Sequence, residues 1–75
     1  MPRPTPISPA EMTRLLERLG FVAVRQRGSH LRLIHPDGRR TTVAIHARDL
    51  PTGTIRAILQ DVGITVEEYE ALRRG

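Results

Sequence analysis

Between Met12 and Val62 the spacing of apolar residues changes twice, and that double change leaves the chain few folds to adopt. Met12, Leu15, Leu16 and Leu19 recur at the three-and-four spacing of an amphipathic helix. From Phe21 the period drops to two and holds through "FVAVRQR", "SHLRLIH" and "RRTTVAIH". It then returns to helical spacing with Ile55, Ile58, Leu59 and Val62. A helix-period segment cannot settle as a strand, nor the reverse, so the order is helix, three strands, helix. Each helix has one apolar stripe and the sheet has one apolar face, so both helices must cover the same side.

Local signals set the boundaries. Ser8 caps the first helix, with Pro9 at its first position, Glu11 completing a capping box, Ile7 and Met12 as a hydrophobic staple and Gly20 as the stop. Arg27-Gly28 and "HPDG" mark the two turns of an antiparallel meander. Thr52 or Thr54 is available to cap the next helix, and Gly63 ends it. A short last helix follows from the Thr65/Glu68 capping box, the Ile64–Tyr69 staple and Leu72. "MPRPTP" has three prolines in six residues and no apolar period, which predicts a flexible lead-in over residues 1–7 before a single domain over 8–75. The expected fold class is α+β: a two-layer sandwich like the double-stranded-RNA-binding domain, with a short C-terminal helix.

Strand alternation sorts the charges. With Val22, Val24, Leu31, Leu33, Val43 and Ile45 turned to the helices, the other face collects Arg25, Arg27, His30, Arg32, Arg40 and His46. A slip of one residue would bury that whole set, which the cost of desolvating charge forbids. The chain carries a formal net charge of +4, and all 12 of its basic residues are arginine. Residues 25–48 hold Arg25, Arg27, Arg32, Arg39, Arg40 and Arg48 against Asp37 alone, the concentrated pattern of a nucleic-acid footprint. Guanidinium groups suit it, since each grips phosphate through two parallel hydrogen bonds.

Three readings of that face compete: a solvated surface, an RNA-binding module, and a ribonuclease in which His30 moves protons. Like charges side by side are unfavourable without an anion between them, which weakens the first. Histidine titrates near neutral pH, so it can take a proton from a ribose 2′-hydroxyl or return one to the leaving 5′-oxygen. With the 2′-hydroxyl as internal nucleophile no metal is needed, and the basic face offers no carboxylate cluster to hold Mg²⁺; no cofactor is expected. A zinc site from His30, His35 and His46 is disfavoured, because strand parity turns His35 away from the other two. His35 is read as a turn residue. His46 is either a second proton-transfer group or a phosphate contact, and Gly28 and Ser29 shape the turn beside the phosphates. Phe21 and Tyr69 fall on the helical side, so no aromatic platform is expected for base stacking. With no cysteine, no apolar run near membrane-spanning length and no signal-peptide core in "MPRPTP", a cytoplasmic protein without a membrane partner is expected.

From about Ser8 to Val62 the chain resembles the HicA toxin family. The residues that carry the resemblance are "LLERLGFVAVRQRGSHLRLIHPDGRRTTVAIH" followed by "ARDLPTGTIRAILQDVGIT": "GSH", "HPDG" and "DLPTGTIRAIL" at these separations. The resemblance implies the toxin of a type II toxin–antitoxin system, a metal-independent endoribonuclease that cuts mRNA. It further implies that the active-site histidine is His30 and that a HicB-type antitoxin covers it. The family often has proline two residues before the histidine of the third strand, where this chain has Ala44 before His46. A non-catalytic RNA-binding module of the same fold is the other reading.

Overall fold

The computed structural model describes residues 2–46 and 48–75. Helix α1 spans Pro9–Arg18, and its N-terminus is held by the Ser8 hydroxyl, which accepts from the Glu11 amide at 3.1 Å. The Glu11 carboxylate takes the Ser8 hydroxyl proton at 3.2 Å rather than the Ser8 backbone N–H, so half of the expected capping box forms. Gly20 follows at φ +100°, where a side chain would be strained, and an added Cβ would also lie 2.9 Å from Nε2 of His35.

Strands β1 (Val22–Arg27), β2 (His30–Ile34) and β3 (Arg40–Ala44) form one antiparallel sheet in the order β1-β2-β3. Helices α2 (Thr52–Val62) and α3 (Val66–Arg74) complete the chain. Leu33, Val43, Met12, Leu15, Leu16, Phe21, Ile55, Leu59 and Tyr69 meet in one buried core between helices and sheet, with Leu31 and Ile45 packed at its margin. The result is the two-layer α+β sandwich that the period changes require. No helix among the described residues is long and apolar enough to cross a membrane.

Three expectations are corrected. Val22 and Val24 were assigned to the core, yet they are 56% and 52% exposed. The ladder shows why: Val22 pairs with Ile34 and Ala23 with Leu33, so Ala23 faces the helices, and Val24 is the extra residue of a bulge before Arg25 pairs with Arg32. Helix α2 uses neither Thr52 nor Thr54 as a cap; Pro51 holds that position without a side-chain bond. Pro51 instead sets an extended backbone ahead of the first turn, at φ −64° and ψ 155°.

The third correction concerns the N-terminal segment. Pro4 is fully buried, the Thr5 amide donates to Glu70 Oε2 at 2.8 Å, and the Tyr69 hydroxyl donates to the Thr5 carbonyl. The Leu50 amide donates to the Ile7 carbonyl at 2.8 Å, and Arg56 donates to the Pro2 carbonyl. Residues 2–7 therefore form a strap across α2 and α3 rather than a free lead-in. Proline-rich composition hid this, because the segment is held by backbone hydrogen bonds and by the buried Pro4 and Ile7 side chains rather than by any periodic stripe.

Candidate nucleic-acid interface

The candidate interface is built on the β1–β2 hairpin. Gly28 takes φ +59° and Ser29 a negative φ, the pattern of a two-residue turn whose first central position requires glycine. That turn places Arg27 opposite His30, and the bulge at Val24 places Arg25 opposite Arg32. Directly paired residues share a face, so the four side chains stand together on the side away from the helices. β3 adds Thr42 beside Arg32 and Ala44 beside His30.

These side chains enclose an open cleft of about 170 Å³ lined by Arg25, Arg27, His30, Arg32 and Thr42. All five residues are exposed. The ion pairs among the described residues lie elsewhere, at His35–Asp37, Arg39–Asp37 and Arg73–Glu70. Three guanidinium groups thus line one cleft with an imidazole, and among the described residues none of the three is in an ion pair, an arrangement suited to a polyanion.

The other expected site residues fall around this cleft. Arg40 pairs with Ile34 further along the same face and lines a neighbouring cavity of about 240 Å³, which shares Arg32 and Thr42 with the cleft. Gly28 and Ser29 form the rim, where the Ser29 carbonyl accepts from the Ile45 amide at 2.6 Å. Ser29 is exposed. His46 does not share the His30 strand face: β3 ends at Ala44, and His46 is an exposed bend residue that does not line the cleft.

His35 occupies the β2–β3 turn, edge-on to the Phe21 ring with centroids 5.1 Å apart. Its Nδ1 accepts from the Asp37 amide at 3.0 Å and lies 2.9 Å from Asp37 Oδ1. Asp37 also accepts from the Arg39 amide at 3.1 Å, and this bond is the first cause that holds its carboxyl below the usual range. These groups fasten the hairpin end opposite the one where His30 sits. Among the described residues no group of three or more His, Asp or Glu is placed to hold a metal ion.

Thr42 carries no charge, so the sequence does not mark it as a site residue, although alternation sets it on the open face. Ile34 and Val22, paired across β1 and β2, lie on the same face as the cleft residues without a charge to mark them. Only the bulge brings Val22 to that face, and nothing in "FVAVRQR" announces it.

Fold and face together define a small basic α+β domain with a cationic sheet surface. Residues 9–64 match the family described as the HicA toxin of bacterial toxin–antitoxin systems, and the chain belongs to that family. It is thus of the toxin kind, with an antitoxin as the kind of partner the family implies. No curated protein matches the chain.

Proposed function

We propose that this toxin is an endoribonuclease that cuts mRNA without a metal ion, using His30 within the arginine cleft. The observation that carries the reading is the exposed imidazole opposite Arg27 and in one cleft with Arg25 and Arg32. In the reaction, the ribose 2′-oxygen attacks phosphorus as His30 accepts the hydroxyl proton. The bond from phosphorus to the 5′-oxygen then breaks, and solvent at this open face protonates the leaving oxygen. The guanidinium groups hold the phosphate and the charge that grows on it in the transition state. Thr42 adds an uncharged donor within the same cleft. Gly28 and Ser29 bring the turn close to the strand of RNA, Arg40 binds a phosphate further along, and His46 contacts RNA from outside the cleft.

A HicB-type antitoxin inhibits the enzyme by covering the His30 face, and the unneutralised arginines suit an acidic partner surface. An mRNA substrate places its action in the cytoplasm. The test compares wild type with His30→Ala for growth arrest and for fragmentation of purified RNA. General acid–base catalysis by one group is worth about 10²–10⁴-fold, so the variant should fold, bind RNA and lose that much cleavage. Equal cleavage by the two proteins would remove His30 from the mechanism. Salt-sensitive RNA binding without any cleavage by wild type would favour the non-catalytic module.

A further inference from the structure

The sheet has two outer edges, and they differ. Along β1 the bulge at Val24 interrupts the ladder and Arg25 and Arg27 project beside it, devices that discourage a further strand from pairing. β3 has neither bulge nor proline, and its residues pair with β2 in unbroken register from Arg40 to Ala44. The direction of its backbone groups follows from the ladder. His35 donates to the Arg39 carbonyl at 2.8 Å, and Ile45 donates to the Ser29 carbonyl at 2.6 Å. Bonding alternates along an antiparallel pair, so Arg39, Thr41, Val43 and Ile45 bond inward to β2. Arg40 and Thr42 then turn N–H and C=O to the outer edge.

Beside that edge lies the cavity of about 240 Å³, walled by one face of α2 through Thr54, Ala57 and Asp61. A free strand edge next to a helix is a geometry in which an extended peptide adds as a further strand, main-chain bonds giving affinity and alternate side chains specificity. RNA offers phosphates, hydroxyls and base edges, whereas the donors and acceptors alternating along β3 repeat at the spacing of a peptide backbone. We propose that an extended segment of the antitoxin pairs with the outer edge of β3 in this groove, its acidic side chains directed to Arg32 and Arg40. This rests on the reading that an antitoxin covers the His30 face. Arg32 and Thr42 line both the groove and the cleft, so a strand seated here forms part of that cover. Asp61 already accepts the Thr41 hydroxyl on Oδ2 at 2.9 Å, which leaves Oδ1 to accept an N–H from the added segment.

Residue-resolved hydrogen–deuterium exchange tests the groove. The full chain is measured free, with an RNA oligonucleotide, and in complex with a purified HicB-type antitoxin. The Arg40 and Thr42 amides should exchange rapidly in the free chain and slow at least tenfold in the protein complex. In parallel, Ala57→Trp, which fills the groove from the α2 side, should weaken the complex by about tenfold or more while leaving the midpoint of thermal unfolding of the free chain unchanged. Unprotected Arg40 and Thr42 amides in a stable complex would overturn the strand-addition proposal and leave antitoxin binding intact. Protection by RNA instead of by the protein would assign the groove to substrate and overturn it too. Failure of any complex to form would overturn the antitoxin reading and the groove with it. Should Ala57→Trp not fold, the exchange result on the unmodified chain decides alone.

Discussion

His30 and Thr42 share one cleft but differ in what removing them should do. His30 is the proposed proton carrier, so its loss should fall on the chemical step. Thr42 contributes a hydroxyl from β3, cross-strand from Arg32. Thr42→Val keeps the β-branched shape and removes the donor. It should lower RNA cleavage by about 10-fold or more, since a hydrogen bond to a charged group is worth roughly 1.5–3 kcal/mol. Thr42→Ser should restore most of the loss, and steady-state cleavage of a single oligonucleotide checks both. At this scale the sequence was most informative about charge. Arg25, Arg27, His30 and Arg32 could be assigned to one face because burying them is prohibitively costly. Polar residues without charge, such as Thr42, leave no comparable mark, since either face tolerates them.

Among the elements, β1 shows where periodic reading stops. Alternation through "FVAVRQR" buries Val22 and Val24, whereas the bulge at Val24 breaks the period and brings Val22 to the same face as Arg25. Helix ends were legible where the signal is local: Ser8 caps α1, the Thr65/Glu68 capping box of α3 forms in full, and Gly63 ends α2 at φ +76°. A bulge has no such local signature. Deleting Val24 should therefore regularise the β1–β2 ladder without moving Arg25 or Arg27 off the open face. Cross-strand proton contacts between Ala23 and Leu33 and between Arg25 and Arg32 in the deletion variant would establish it. Loss of the Arg25–Arg32 contact would mean that the bulge, rather than the turn at Gly28, fixes the register.

Across the whole molecule, the N-terminal strap joins the two ends of the chain. Deleting residues 1–6 removes Pro4 from the core and leaves the buried Tyr69 hydroxyl without its acceptor. An unsatisfied buried polar group costs about 1–3 kcal/mol, so thermal unfolding should show at least that loss. The strap also couples stability to acid. The Thr5 amide, bonded to Glu70 at 2.8 Å, is the first cause that holds the Glu70 carboxyl below its ordinary value of 4.5. A carboxyl lowered in the folded state stabilises it fully above that ordinary value and loses the contribution as pH falls through the folded value. Glu70→Gln should flatten the acid limb of the stability curve below about pH 4.5 and leave its slope near neutral pH unchanged. The proposed cleavage site lies apart from this strap, in the cleft on the open sheet face. The most direct measurement is therefore the fate of one RNA oligonucleotide incubated with the protein in excess EDTA, beside the same oligonucleotide bearing a single 2′-deoxy residue at the cut site. The account predicts cleavage of the first, a 2′,3′-cyclic phosphate on its upstream product, and no cut at the 2′-deoxy position. Cleavage that requires a divalent ion, or that proceeds without the 2′-hydroxyl, would contradict it.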